Sequence, residues 1–117
     1  MPNKRVKRIL IKLSGESLVG KGSYGIELKT VEKLSKDIYS LKKCNIEICI
    51  VIGGGNIFRG IAASAKGMDR ANADYMGMLA TIMNSLALQN SLEKLSLETR
   101  VMSALPIQSV CETYIRR

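Results

Sequence analysis

The segment Ile46-Glu-Ile-Cys-Ile-Val-Ile-Gly-Gly-Gly-Asn56 decides the fold class of this chain. Its first seven residues are mostly β-branched and apolar, which is typical of a buried strand, and three glycines then end that strand in a turn. An earlier apolar stretch, from Val6 to Leu13, runs in the same way into Ser14 and Gly15. We therefore predict two buried strands, each followed by a glycine turn.

The segment between these strands has the periodicity of an amphipathic helix. Thr30 is a candidate N-cap, and the apolar positions that follow it at helical spacing are Val31, Leu34, Ile38 and Leu41. Two strands joined by a helix of this length are most economically parallel with a right-handed crossover. The first half of the chain is therefore predicted to be a βαβ unit.

The second half is predicted to hold a short helix over residues 56–65 and a longer helix from about Asp69. Apolar residues spread nearly all round the longer helix, which indicates deep burial or contact with a partner subunit. A third strand is predicted over Thr99–Leu105, closed by Pro106. The resulting three-stranded sheet has two unprotected edges, so we expect the chain to be half of a larger α/β domain.

Composition bounds the function. The 117 residues are 46% hydrophobic and 24% charged, which fits one ordinary domain. No apolar run approaches the ~20 residues that span a bilayer, and no targeting segment is recognisable, so we expect a cytoplasmic location. The three cysteines form no Cys-x-x-Cys pair, which favours a reducing compartment. The chain has no His, which excludes Ser-His and Cys-His nucleophiles and the usual general base.

The formal charge is +8, and residues 1–60 hold twelve basic against five acidic groups. This balance favours anionic ligands. A nucleic-acid binder would have a similar charge, but the five aromatic residues are scattered and form no stacking cluster. We therefore expect neither a nucleic-acid nor a membrane partner.

Two glycine segments could hold phosphate. Gly15 to Lys21 matches the core of a P-loop, but Gly22 stands where a Ser or Thr would hold magnesium, so a chance match in a mobile loop is the better account. The segment Gly53–Gly55 is more informative, because glycines let backbone N–H groups approach an anion and Arg59 follows one turn into the predicted helix. A plain tight turn with a solvated arginine is the alternative.

Lys12 and Asp74 are candidate ligand-binding residues because of their positions in the predicted fold. Lys12 ends the first strand, at the edge of a parallel sheet where ligands bind, or it is a solvated edge lysine. Asp74 is either a helix-start charge or an acceptor for a hydroxyl in a pocket. The residues alone leave both pairs of alternatives open.

Four stretches together closely resemble the bacterial uridylate kinases of the amino-acid kinase superfamily. They are Ile11-Lys-Leu-Ser-Gly-Glu-Ser17, Val51-Ile-Gly-Gly-Gly-Asn-Ile-Phe-Arg-Gly60, Gly67-Met-Asp-Arg70 and Asp74-Tyr-Met-Gly-Met-Leu-Ala-Thr-Ile-Met-Asn84. The resemblance runs over nearly the whole chain but onto only the N-terminal half of the family's fold. It implies a parallel-sheet α/β/α sandwich, of which residues 1–117 are the N-terminal part of a single domain.

The resemblance also implies an activity and roles. The family transfers the γ-phosphoryl group of Mg-ATP to UMP, giving UDP in pyrimidine nucleotide biosynthesis, and forms homohexamers built on dimers. The implied ATP-binding residues are Lys12, Leu13, Ser14, Gly15, Gly55 and Arg59, of which Lys12 and Arg59 are catalytic. Gly54 and Asp74 would bind UMP. The family's GTP activation segment coincides with Gly20, Lys21, Gly22, Ser23, Tyr24 and Gly25, and no protein side chain is assigned to a metal.

The chemistry fits the absence of His, because the acceptor is a phosphate monoester with a second pKa of about 6 that needs no protein base at pH 7. The missing half would carry the uridine-specific loop, most of the adenine pocket and an aspartate that organises Lys12. We therefore expect the isolated chain to bind nucleotides weakly and to transfer nothing. The alternative is a non-catalytic nucleotide- or anion-binding or assembly module, in which the helix around residues 75–95 serves association.

Overall fold

The computed structural model describes residues 5–59, 62 and 66–116 of the chain. Within these ranges the elements are β1 (Arg8–Leu13), α1 (Leu28–Lys42), β2 (Glu47–Ile52), α2 (Arg70–Lys94), β3 (Met102–Ser103) and β4 (Glu112–Thr113), with a 3-10 helix at Gly15–Leu18. None of the helices in this described part combines the length and apolar character that crossing a membrane requires.

Strands β1 and β2 are parallel, which confirms the predicted βαβ unit. The strands are not buried on both faces as predicted, because alternate residues such as Leu10 and Val51 are exposed. The register of the two strands pairs Arg8 with Glu47 at one edge of the sheet and Leu13 with Ile52 at the other. Both strands therefore end at the same level, and the turns that follow them lie side by side.

Helix α1 begins three residues before the predicted start. Its N-cap is Glu27, and Thr30 instead donates its side-chain hydrogen to Glu27 Oε1 over 2.8 Å, so the prediction of Thr30 as the N-cap is wrong. The reason is a contact from outside the helix: Glu27 N–H donates to the carbonyl of Leu18 over 2.7 Å, which holds Glu27 extended.

The two long helices and the sheet enclose one main core. Helix α2 starts after Asp69, which accepts a hydrogen bond from the Asn72 amide over 3.1 Å, as expected of an N-cap. The buried apolar residues of this core are Leu18, Val31, Ile38, Ile52, Leu88 and Leu92. Helix α2 is not buried all round, because apolar side chains of its first half are exposed, namely Tyr75, Met76, Met78, Leu79 and Met83.

The predicted third strand is shorter than expected and pairs with β4 instead of joining the sheet of β1 and β2. Only Met102–Ser103 is a strand, and it lies parallel to β4, so in the described ranges there are two two-stranded sheets instead of one three-stranded sheet.

A groove of about 250 Å³ lies between β2 and β3 and is lined by residues of both strands and of α2, among them Val51, Thr81 and Met102. The guanidinium of Arg100 donates to Glu112 at the start of β4 and lowers the pKa of that carboxyl.

The predicted helix over residues 56–65 is wrong at its start. The amides of Ile57 and Phe58 both donate to the carbonyl of Gly54 over 3.0 Å, which closes a single turn, and Phe58 and Arg59 are not helical. Arg59 therefore follows a turn and does not lie one turn into a helix. Residues 60–61 and 63–65 of this prediction lie outside the described residues.

Candidate functional site

The turns that follow β1 and β2 are in contact. Gly53 N–H donates to the carbonyl of Leu13 over 2.9 Å, which ties the start of the second turn to the end of the first strand. A Cβ added to Gly15 would lie 2.8 Å from the backbone nitrogen of Gly55. Real Cβ atoms essentially never approach so closely, so the contact requires glycine at Gly15. The structure thus brings the two predicted glycine turns together at the carboxyl edge of the sheet.

The second turn also packs against helix α2. A Cβ added to Gly54 would lie 2.8 Å from the Cβ of Ala80 and 3.1 Å from the carbonyl oxygen of Gly77. Asp74 lies one helical turn before Gly77, so it stands near this contact on the same helix. Its carboxylate accepts a hydrogen bond from Arg70 over 3.1 Å, and both side chains are exposed. Asp69, and not Asp74, caps the helix.

Arg59 lies over the second turn, held by an acidic partner that the sequence analysis did not single out. Its Nε donates to the carbonyl of Gly55 over 3.3 Å, and its Nη2 donates to the carboxylate of Glu16. Both side chains are at least half exposed. The guanidinium is therefore placed beside both glycine turns. The position of Glu16 directly after Gly15, inside the stretch Ile11–Ser17, is the signal that could have identified it.

Lys12 and Ser14 lie on the first strand and turn. Lys12 is exposed and pairs in register with Val51, while the neighbouring Leu13 packs against the core. Ser14 has an extended backbone at the start of the 3-10 helix, and its hydroxyl lies 3.3 Å from that of Ser17. Both residues are thus exposed and lie within two positions of the end of β1, where the first glycine turn begins.

The segment that resembles a P-loop is not built as one. The 3-10 helix at Gly15–Leu18 is followed by turns and bends through Gly25, and α1 begins only at Leu28. Residues 20–25 form an irregular loop of turns and bends. Gly20 and Gly25 have φ values of 68° and 87°, a region that glycine occupies without strain.

Two buried asparagines, which the sequence analysis also missed as a pair, connect this loop to the second turn. Asn56 Nδ2 donates to the carbonyl of Gly25 over 2.9 Å and to Asn84 Oδ1 over 3.1 Å. Asn84 Nδ2 donates to the carbonyl of Gly53 over 2.8 Å and to Asn56 Oδ1 over 2.7 Å. They are 28 residues apart and no periodicity relates them, so only the fold reveals the contact.

Chemically, the arrangement suits an anion. It combines glycine turns that a backbone can share with a bound phosphate, an arginine and an exposed lysine. No three carboxylate or thiolate side chains are grouped to hold a metal ion anywhere in the part of the chain that the structure describes.

Comparison with known proteins identifies the family. The model of the amino acid kinase family matches residues 7–115. The chain belongs to the amino acid kinase family. This agrees with the resemblance drawn from the four sequence stretches, and the α/β fold with parallel strands is the fold of its structural neighbours.

Two similar proteins of this family are both named uridylate kinase. The chain is 54% identical over 113 residues to the uridylate kinase of Zymomonas mobilis and 54% identical over 111 residues to that of Cereibacter sphaeroides. These alignments cover 97% and 95% of the chain but 47% and 45% of the relatives. The chain therefore spans about half the length of the curated relatives it matches.

Solved structures of the same family give the same result. The UMP kinase of Bacillus anthracis superposes with a TM-score of 0.87 at 44% identity, over 96% of this chain and 46% of that one. The UMP kinase of Ureaplasma parvum gives 0.85 at 40% identity, over 96% and 47%. Both matches correspond to the half of the family fold that the sequence analysis expected.

Proposed function

We propose that this chain is the phosphate- and ribose-binding half of a uridylate kinase. The reaction transfers the γ-phosphoryl group of Mg-ATP to UMP and gives UDP and ADP, a step of pyrimidine nucleotide biosynthesis. The contact between Gly15 and Gly55, with Arg59 lying over it, is the observation that carries this proposal. The names of relatives that are 54% identical support the choice of UMP as acceptor.

The reaction needs positioning and charge neutralisation. An oxygen of the UMP phosphate forms a bond to the γ-phosphorus of ATP while the bond from that phosphorus to the β–γ bridging oxygen breaks. Because a phosphate monoester with a second pKa of about 6 is largely ionised at pH 7, no protein group has to remove a proton. A chain without His can therefore support the step through amides and cations.

We assign roles on this basis. The ATP phosphates bind to Lys12, Leu13, Ser14, Gly15, Gly55 and Arg59. Lys12 and Arg59 neutralise the charge that develops on the moving phosphoryl group. Gly54 binds the UMP phosphate through its backbone N–H, and Asp74 accepts a hydrogen bond from the UMP ribose. Arg59 also clamps the UMP phosphate, because its guanidinium lies beside both glycine turns. Magnesium arrives as part of the Mg-ATP substrate and is held by the phosphate oxygens.

Binding and transfer are separable in this chain. Since the chain spans about half the length of its relatives, we expect it to bind UMP and Mg-ATP weakly and to form no UDP. Calorimetric titration with UMP measures the first property, and a chromatographic assay for UDP after incubation with both nucleotides measures the second. UDP formation by the purified chain would refute the statement that this half is inactive alone.

Two single variants test the site assignment. We expect Arg59→Ala and Asp74→Ala each to weaken UMP binding about tenfold, the loss of one charge-assisted hydrogen bond. Arg8→Ala and Asp37→Ala are matched controls, because they remove the same charges from exposed positions away from the glycine turns. UMP affinity that is equal in all four variants contradicts the assignment but leaves the fold intact.

Association is a second candidate function. Helix α2 exposes Tyr75, Met76, Met78, Leu79 and Met83, and apolar side chains grouped along one helix favour contact with another subunit. We therefore propose a homo-oligomer, hexameric in the complete enzyme, and sedimentation of the chain measures its state. If the chain associates but binds no nucleotide, the alternative of a non-catalytic assembly module is correct.

The remaining assignments follow the family resemblance. We propose that residues 20–25 form the segment through which GTP activates the complete enzyme allosterically. A cytoplasmic location and the extent of the domain, with residues 1–117 as its N-terminal part, stay predictions. Kinetics of the complete enzyme with and without GTP, before and after substitution of Lys21, would test the regulatory role.

A further inference from the structure

The Asn56–Asn84 pair uses every hydrogen that its two amides can donate. Each side-chain NH₂ group gives one hydrogen to the other amide and one to a backbone carbonyl, of Gly25 for Asn56 and of Gly53 for Asn84. The side chains are 2% and 0% exposed. Leaving such a buried donor unsatisfied is costly, so each amide has a strong preference for this one arrangement.

The pair joins three separate parts of the chain. Asn56 belongs to the turn after β2, Asn84 to helix α2, and Gly25 to the loop over residues 20–25. Asn56 binds Gly25 twice, because its backbone carbonyl also accepts a hydrogen bond from Gly25 N–H over 2.8 Å. The loop is thereby fixed to the residue that directly follows Gly55.

Both backbone hydrogen-bonding groups of Gly25 are paired with Asn56 in the described part of the chain. A Cβ added to Gly25 would meet no atom within 4 Å, and the neighbouring Tyr24 is 74% exposed. The residues that directly follow Gly25 are held separately, because Ile26 packs against the main core and Glu27 N–H donates to the Leu18 carbonyl. The C-terminal end of the loop therefore depends on Asn56 for its hydrogen bonds, and Asn56 depends on Asn84 for the orientation of its amide.

We propose that the Asn56–Asn84 amide pair positions the loop over residues 20–25 against the glycine turn Gly53–Gly55, and that phosphate bound at that turn makes the loop open less often. The second clause rests on the proposed function, because it assumes that UMP binds at the turn. Neither asparagine needs to touch the nucleotide. Both act through the backbone of the turn and of the loop.

Hydrogen exchange of the Gly25 amide, followed by NMR, reports the opening of the loop. Asn56→Asp keeps the size of the side chain but removes the donor to the Gly25 carbonyl and places an oxygen against it. We expect the Gly25 amide to exchange at least tenfold faster in Asn56→Asp, with core amides such as that of Ile50 unchanged. Asn90→Asp is the matched control, since it makes the same change at an exposed position of α2.

A second set of hydrogen-exchange measurements tests the coupling to phosphate, with UMP as the ligand. In the unsubstituted chain, saturating UMP is expected to slow exchange of the Gly25 amide at least threefold. In Asn84→Asp, which leaves the loop residues and the glycine turn unaltered, UMP is expected to change this rate by less than a factor of 1.5. A slowing as large as that of the unsubstituted chain would overturn the coupling.

The outcomes separate the two proposals. If the unsubstituted chain binds no UMP, the proposed function and the coupling to phosphate fail together, while the exchange rates without ligand still decide whether the pair holds the loop. Gly25 exchange in Asn56→Asp within a factor of two of the unsubstituted chain would overturn that role. Equal acceleration of the Gly25 and core amides would also overturn it, because the pair would then serve only general stability. The positioning role is refuted as well if both Asn56→Asp and Asn84→Asp fail to fold while Asn90→Asp folds.

Discussion

A Cβ atom placed on Gly15 would lie 2.8 Å from the backbone nitrogen of Gly55 and 2.3 Å from Oδ1 of Asn56. The residues come from different turns, 40 positions apart in the chain, and they meet because β1 and β2 are parallel and end in register. This contact gives the site its compactness. The two turns can approach each other this closely only because Gly15 carries no side chain.

Alanine at Gly15 should disrupt this contact. The new methyl group must displace Asn56, which is buried and held by two hydrogen bonds that its side-chain amide donates. The backbone of one turn therefore has to move. We expect Gly15→Ala to lower the free energy of unfolding by about 1–3 kcal/mol, as overpacking usually does. Urea denaturation followed by circular dichroism measures the change.

The matched control is Gly22→Ala, where the nearest atoms to the added Cβ lie 3.7 Å away. Its free energy of unfolding should stay within about 0.5 kcal/mol of the unsubstituted chain, as is usual for surface changes. Equal denaturation midpoints for the two variants would show that the turns can separate at no cost.

Alanine substitutions at Gly54 and Gly77 should change the free energy of unfolding in opposite directions. A methyl group on Gly54 would meet Ala80 at 2.8 Å and the Thr81 nitrogen at 3.0 Å, and should cost about 1–3 kcal/mol. A methyl group on Gly77 meets nothing within 4 Å, and alanine inside a helix stabilises by roughly 0.5–1 kcal/mol over glycine. Thermal unfolding of both variants compares them, and a lower midpoint for Gly77→Ala would contradict the packing described for α2.

Local sequence patterns account for most of the fold. The β-branched runs and the helical spacing after Thr30 predicted β1, α1 and β2 because each pattern depends on residues close together in the chain. The start of α2 followed from Asp69 for the same reason. The N-cap of α1 did not, because a distant hydrogen bond to Leu18 selects Glu27 over Thr30.

The rest depends on contacts that no local pattern contains. The strand predicted over Thr99–Leu105 shortens to two residues, since β4, and not β2, provides its hydrogen bonds. Within the site, the glycines and Arg59 were predicted from their position after a strand, whereas Glu16 and the Asn56–Asn84 pair were not. Their partners come from other segments, and an exposed carboxylate or a buried amide has no periodic signature.

The ion pair between Arg59 and Glu16 predicts that Glu16→Gln binds UMP more tightly. The carboxylate occupies a guanidinium that a phosphate would otherwise use, and it also repels the phosphate. We expect UMP affinity to rise about threefold to tenfold at low salt, equivalent to roughly 0.7–1.4 kcal/mol. Because exposed ion pairs contribute about 0–1 kcal/mol to folding, the free energy of unfolding should change little.

The control for this prediction is Glu47→Gln. It makes the same charge change and releases Arg8 at the opposite edge of the sheet, so it separates the local effect from that of net charge. Calorimetric titration of the unsubstituted chain and both variants measures the affinities. Equal affinities in Glu16→Gln and Glu47→Gln would mean that Arg59 does not bind the phosphate of UMP.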